Sequence, residues 1–221
     1  MYVWREVSVD GDIYTLRETR SSQTRGDLIG NETNQLQDGS LIDLCGATLL
    51  FRTREGLSKS PSPTELELAL DELNAGKPQC PVNLNTLIIP RRKVQARTGC
   101  TADRQPYVYL SCGHVQGKHS WGHKAQGDFA KHRCPICAVE SDRILMLSMG
   151  MEPSLHLDSQ ALNYAFNPCG HMASLATVRY WSRIPLPHGT NSFHAVCPFC
   201  TTLLPVEKPY LKLIFQDHCD L

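Results

Sequence analysis

The sequence predicts an α+β chain that is mostly β-strand and loop. It has a β-rich front, one long helix and a cysteine-rich back half. Three observations carry this. Alternating apolar stretches bounded by turn residues run through 1–60. A capped amphipathic stretch occupies 61–78. From 79 to 221 the chain repeats Cys-Gly-His and Cys-Pro-x-Cys strings between short strand-like segments.

The front opens with VSVDGDIYTL, in which Asp10 and Gly11 stand between alternating runs, the pattern of a tight hairpin. SLIDLCGATLLF (40–51) follows as strand, with Cys45 read as a strand core residue. Arg17 and Arg20, in RETRSSQTR, read as parts of a solvated face. The helix lies in SPTELELALDELNAGKP. Ser62 caps it, Pro63 suits its first turn, and Glu65 completes a capping box. Leu66, Ala69, Leu70 and Leu73 share one face, and Gly76 and Pro78 end the helix. The helix is expected to connect two modules and pack on one of them. SKSPSPT before it reads as linker. RRKVQAR (91–97) reads as a solvated basic loop without interleaved aromatics.

Composition excludes several classes of function. Lys+Arg equals Asp+Glu at 22 each, so no global field draws the chain to nucleic acid or anionic lipid. No apolar run approaches the roughly 20 residues of a membrane helix, so no membrane insertion is expected. MYVWREVSVD shows no signal-peptide pattern, and a reducing, cytoplasmic setting is expected. There the ten cysteines point to metal ligands in preference to disulfides.

The cysteines are organised by a repeat. PYVYLSCGH (106–114) and NYAFNPCGH (163–171) match at their aromatic positions and at Cys-Gly-His. Each is followed by a Cys-Pro-x-Cys, in RCPIC (133–137) and VCPFC (196–200). Zinc takes four tetrahedral ligands from thiolate and imidazole, and both short spacings let two ligands converge on one ion. Eight residues thus suffice for two closed, structural Zn2+ sites: Cys112, His114, Cys134, Cys137, Cys169, His171, Cys197 and Cys200. Two pairings are open. Local pairing keeps each Cys-Gly-His with the Cys-Pro-x-Cys after it and closes shorter loops. Interleaved pairing joins like pair to like pair. Gly113 and Gly170 suit a tight turn where a side chain would crowd the metal. Two metal anchors are expected to support a region with little apolar core of its own.

Other metal-capable residues are less committed. His194 lies three before Cys197 and is a candidate substitute ligand or ligand-supporting residue. Cys80, in CPVNLNTL, is a structural thiol or a member of a further site. His119 and His123 are four apart, but GKHSWGHK carries two glycines and is not expected to be helical. Cys100 is an additional thiol and Cys219 a tail thiol. No Ser-His-Asp set or Cys-His dyad can be argued, and no catalytic residue is assigned.

Read from Cys134, CPIC resembles the first ligand pair of a RING finger, NPCGH its central Cys-x-His and CPFC its last pair. The central Cys-x-x-Cys is absent after His171, where MASLATV follows, and Cys112 with His114 can replace it from upstream. NQLQDGSLIDLCGATLLFRT, CPVNLNTL, YVYLSCGHV, FNPCGHM, YWSRIPLPHGT, FHAVCPFC and LIFQ together resemble the Pellino family, from about Trp4 to Gln216. The resemblance implies a partial forkhead-associated (FHA)-like β-sandwich followed by a two-zinc RING-like module. It further implies an E3 ubiquitin-protein ligase of Toll and interleukin-receptor signalling that acts on receptor-associated kinases. A ubiquitin-conjugating enzyme and ubiquitin would be its partners, with no covalent ubiquitin intermediate. Ile136, Trp181 and Pro198 are the implied contacts with the conjugating enzyme, and Trp181 is equally a core residue. Many RING fingers place an Arg after the last ligand, where this chain has Thr201. Met1 falls where a full-length family member is already well into the FHA domain. Phosphothreonine binding is therefore not expected, while exposed sheet edges and apolar surface are. The other reading is a zinc-stabilised adaptor that binds signalling kinases, or competes with a complete family member, without ligase activity.

Overall fold

The computed structural model describes residues 3–76, 78–91, 104–126, 129–188 and 192–216. The basic run after Arg91, Cys100 and Cys219 lie outside the described residues. Two hairpins form the front. β1 (Glu6–Val7) pairs with β2 (Ile13–Tyr14) across the Asp10–Gly11 turn, where Gly11 has φ 91°. β3 (Leu41–Asp43) pairs with β4 (Thr48–Leu50). Cys45 departs from its expected strand core position. It is exposed, with φ 56°, in the turn between these strands. The apolar string around it hid the turn that Gly46 allows. Val3, Val7, Val9, Leu28, Leu36 and Leu49 are all exposed in this front.

α1 (Arg54–Lys59) is capped by Thr53 and has no apolar periodicity to mark it in the sequence. α2 (Pro63–Ala75) forms where the sequence predicts it, with the reciprocal Ser62–Glu65 capping box. Leu66 and Leu70 of α2 are fully buried against Cys80, Leu87, Ile89, Val108 and Leu145, so the helix packs on the back half. Each such leucine contributes on the order of 2 kcal/mol by burial.

The back half contains two copies of one motif. In the first, β5 (Tyr107–Tyr109) enters the Cys-Gly-His turn and β6 (Val115–Gln116) leaves it. The hairpin β7 (His123–Gln126) and β8 (Phe129–Arg133), edged by β9 (Glu140–Ser141), leads through the Cys-Pro-x-Cys turn. β10 (Ile144–Met146) then returns antiparallel to β5, setting Ile144 opposite Tyr109. β11 (Ser148–Met149) follows at once. In the second copy, β12 (Tyr164–Phe166) and β13 (His171–Ala173) flank the turn. Helix α3 (Leu175–Arg183) and the hairpin β14 (Leu186–His188) with β15 (Ser192–His194) fill the interval. β16 (Tyr210–Lys212) returns to β12, setting Tyr210 opposite Phe166.

The copies exchange strands. β11 leaves the first copy and pairs in parallel with β13 of the second, with Ser148 N donating to Gly170 O at 3.1 Å. Beyond β16, Ile214 leaves the second copy and bridges in parallel to His114, its N donating to Gly113 O at 2.8 Å. The first return segment thus ends in the second copy's sheet, and the second ends at the first copy's Cys-Gly-His turn.

The expectation of little apolar core is corrected. Val108, Val115, Leu145, Leu147, Met149, Ala165, Met172, Leu211 and Leu213 form one buried cluster. Phe166, Val178, Tyr180, Trp181, Ile184 and Leu204 form another. Strands of two or three residues are too short to show as hydrophobic runs, and their core is assembled from distant segments. The front belongs to this assembly, since Leu41 and Leu50 pack on the second cluster. Trp4 Nε1 donates to Pro185 O at 2.6 Å, and the Tyr180 hydroxyl donates to Gly39 O. No helix among the described residues is long and apolar enough to cross a membrane.

Candidate metal centres

Both copies build their turns from the same backbone bonds. Gly113 N donates to Tyr109 O at 2.8 Å, and Gly170 N to Phe166 O at 2.7 Å. In the Cys-Pro-x-Cys turns, Ala138 N donates to Cys134 O and Thr201 N to Cys197 O, both at 2.8 Å. Ala138 and Thr201 have φ 59° and 58°, the left-handed residue that closes each knuckle. The turn aims two thiolates at the ligand pair presented by the Cys-Gly-His turn.

The structure groups the eight residues locally. Cys112, His114, Cys134 and Cys137 form one set and Cys169, His171, Cys197 and Cys200 the other, with ligand atoms within 4.8 Å of one another. Each set could hold a metal ion. Nδ1 of His114 lies 3.7 Å from Cys134 Sγ, and Nδ1 of His171 lies 3.7 Å from Cys197 Sγ. A tetrahedral zinc with ordinary bond lengths sets sulfur and nitrogen about 3.5 Å apart, so both sets have the dimensions the ion needs.

Electrostatics point the same way. A proton from Cys197 and the imidazole of His171 hold the Cys169 thiol down at about 4, against an ordinary 9.0. Cys197 is pushed up, first by donating to Cys169 and then by burial. Burial pushes Cys112 up to about 12, and neighbouring thiols add to the rise. At Cys137 burial works upward, but the Val139 N–H and the Cys112 and Cys134 thiols override it and lower the pKa. In each set one thiolate forms at the expense of its neighbours. A dication relieves that conflict by letting all the thiols ionise together.

The remaining expected site residues fall elsewhere. His194 is exposed on β15 with its ring 5.9 Å from His188, and it joins neither set. On β15 it pairs with Leu186, and the chain reaches the knuckle through Val196, which bridges to Leu203. Cys80 is buried among aliphatic residues and is likewise outside both sets. Trp181 is 4% exposed and donates from Nε1 to Leu155 O at 3.0 Å, so it fills the core and offers no surface contact. Ile136 is 42% exposed at the tip of the first knuckle. Pro198 is half-buried. Phe199, the counterpart of Ile136, turns inward, with ring centroids 5.0 Å from His156 and 5.8 Å from His171. The duplicated module therefore presents one apolar knuckle.

Two supporting groups had no signal in the sequence. Buried Gln116 donates from Nε2 to Cys134 Sγ at 3.4 Å, and the Thr202 hydroxyl lies 3.1 Å from Cys200 Sγ. The reason for Gly113 and Gly170 also differs from the expected one. A Cβ on Gly113 would strike the Lys212 carbonyl oxygen, and one on Gly170 the Met146 carbonyl oxygen. Each glycine makes room for the return strand of the other copy.

Comparison with known proteins agrees with this architecture. Residues 73–220 match the family model described as Pellino, RING domain, and residues 1–69 match Pellino, FHA domain. The protein named pellino of Drosophila melanogaster is 55% identical over 218 residues, covering 99% of this chain and 50% of its own length. E3 ubiquitin-protein ligase pellino homolog 2 of Mus musculus is 52% identical, covering 99% of this chain and 51% of its own. Homolog 3 of Homo sapiens is 50% identical, covering 99% and 46%. The chain spans about half the length of the curated relatives it matches. With FHA-like and RING-like domains in that order and the matched Cys/His sets in the second, the chain belongs to the Pellino family.

Proposed function

We propose that this chain promotes transfer of ubiquitin from a conjugating enzyme to lysines of its substrates, as a RING-like E3 ligase with zinc in both Cys/His sets. The observation that carries this is the match of residues 73–220 to the Pellino RING domain, in a chain about half identical to relatives named E3 ubiquitin-protein ligases. Cys112, His114, Cys134 and Cys137 would hold one zinc, and Cys169, His171, Cys197 and Cys200 the other. Four protein ligands close each site, so both ions act structurally. No side chain bonds covalently to ubiquitin. The rate gain comes from holding a loaded conjugating enzyme and an acceptor lysine together.

Ile136 is the proposed apolar anchor for the conjugating enzyme, with Pro198 at the other knuckle. The exposure of Ile136, where its counterpart Phe199 turns inward, supports docking on the first set. The proposed substrates are receptor-associated kinases of Toll and interleukin-receptor signalling, met in the cytoplasm. The proposed division is an FHA-like region over 1–60, a connecting helix over 61–78 and the zinc module over 79–221.

The test is discharge of ubiquitin from a panel of loaded conjugating enzymes onto free lysine. Zinc-loaded protein should accelerate discharge with at least one member, stripping zinc should abolish the gain, and Ile136→Ala should reduce it about tenfold. A second reading, an adaptor without ligase activity, draws on Thr201, which offers no guanidinium after the last ligand. Absence of acceleration by folded, zinc-loaded protein across the panel would favour that reading.

A further inference from the structure

A cluster of three histidines lies outside both Cys/His sets. His123 on β7 and His132 on β8 are direct cross-strand partners. Directly opposed residues share one face of the hairpin, and these two rings have centroids 4.4 Å apart in an edge-on arrangement. His119, in the segment that precedes β7, brings a third imidazole 5.8 Å from His123. The spacing of 119 and 123 that would face one side of a helix is instead brought to one place by a turn and a hairpin.

The hydrogen bonds define which nitrogens are available. Gln116 donates from its amide nitrogen to Cys134 Sγ and so turns its carbonyl oxygen to His119 Nε2, 2.8 Å away. Gln116 in this orientation calls for the proton on His119 Nε2, which also lies 3.4 Å from the Tyr109 hydroxyl, and leaves the lone pair on Nδ1. That Nδ1 is buried without a hydrogen-bond partner, and so is Nδ1 of His132. Unpartnered buried ring nitrogens are uncommon and call for a ligand or a water. An imidazole that donates its other N–H to a carbonyl is oriented as metal-ligating histidines are. A cavity of about 420 Å³, lined in part by Tyr107, Tyr109, Lys118, His119, His123 and Ile144, opens beside the cluster.

We propose that His119, His123 and His132 form a third metal site, for a divalent transition-metal ion of the imidazole-binding class (zinc, nickel or copper). The three rings converge less closely than the Cys/His sets, and binding draws His119 and His132 toward His123 by side-chain rotation. With three protein ligands, the remaining coordination position faces the cavity and takes water, so this ion exchanges where the four-ligand ions do not. Gln116 joins the site to Cys134, and occupancy of the histidines bears on the first Cys/His set through that one side chain.

The test is metal stoichiometry of the full chain, independent of any ubiquitin assay. Saturation with zinc, followed by gel filtration and elemental analysis, should show one equivalent beyond the two Cys/His sets, removable by a mild chelator. Cobalt(II) filling that extra site should add no sulfur-to-metal charge-transfer absorption, because no thiolate takes part. His123→Asn and His132→Asn should each lose the extra equivalent while the far-ultraviolet circular dichroism is unchanged. Three results would overturn the proposal: no extra equivalent in the unaltered protein, added thiolate absorption on filling it, or persistence of the equivalent in both variants. The first two do not depend on whether a variant folds.

Discussion

At Gly113 and Gly170 the fold turns on a missing side chain. Both have positive φ, 82° and 72°, and both lie against a backbone carbonyl of the opposite copy. Backbone cannot move aside as the end of a flexible side chain can. Gly113→Ala and Gly170→Ala should therefore each cost about 2 kcal/mol or more, from left-handed strain plus displacement of the return strand. Gly30→Ala, where a Cβ would meet nothing, should stay within about 0.5 kcal/mol. Urea denaturation of metal-loaded protein measures all three, and equal midpoints for Gly113→Ala and the unaltered chain would remove the strand-clearance argument. That these glycines sit in tight turns was legible from Cys-Gly-His. What they clear was not, because Lys212 and Met146 lie far along the chain.

At the scale of elements, Arg52 is one of the polar links between the front and the back. Its side chain, 5% exposed, donates to the carbonyls of Ser154, His156 and Gly56 and to the Ser60 hydroxyl, and it pairs with Asp38 at 3.0 Å. Arg52→Ala removes these donations at once, with only the His156 carbonyl keeping the Ser60 hydroxyl as a partner, and should cost about 3 kcal/mol in the same denaturation experiment. Burial alone would raise the Asp38 carboxyl, but the Thr53 N–H and the Arg52 guanidinium outweigh it and hold it below its ordinary 3.8. A depressed pKa adds stability that is complete above the ordinary value and is lost as pH falls through the folded one. Asp38→Asn should accordingly remove part of the acid-side loss of stability, read as a shallower fall in thermal midpoint below about pH 4. Arg17 pairs with Glu6 at 2.8 Å and Arg20 with Asp43 at 2.7 Å, so neither guanidinium is waiting for an anion. No micromolar binding to a phosphothreonine peptide is expected by isothermal calorimetry, and binding in that range would show that these pairs open. α2 was legible down to its capping box because its signals are local. α3 has its own cap in Ser174, but β-branched Thr177 and Val178 and aromatic Tyr180 and Trp181 weaken its local helical signal.

Across the whole molecule, the exchange of return segments ties each Cys/His set to the backbone of the other copy. If zinc fills both, removing it from one set releases a return segment tied to the other copy. Cys137→Ser and Cys200→Ser, one per set, should each lower the thermal midpoint while leaving a single transition, and a strong chelator should unfold the back half in one step. Two resolved transitions in either variant would mean that the copies fold independently.

Sequence alone determined which Cys and His residues make up the two sets, the repeat, the capped helix and the family. Each rests on residue type at short spacing, which folding leaves unaltered. Tertiary structure decided between local and interleaved grouping, placed Trp181 in the core and Ile136 on the surface, and built an apolar centre from strands of two or three residues. Those outcomes depend on which distant segments meet, and in this chain they meet by exchange between two copies whose sequences each describe only half of a sheet.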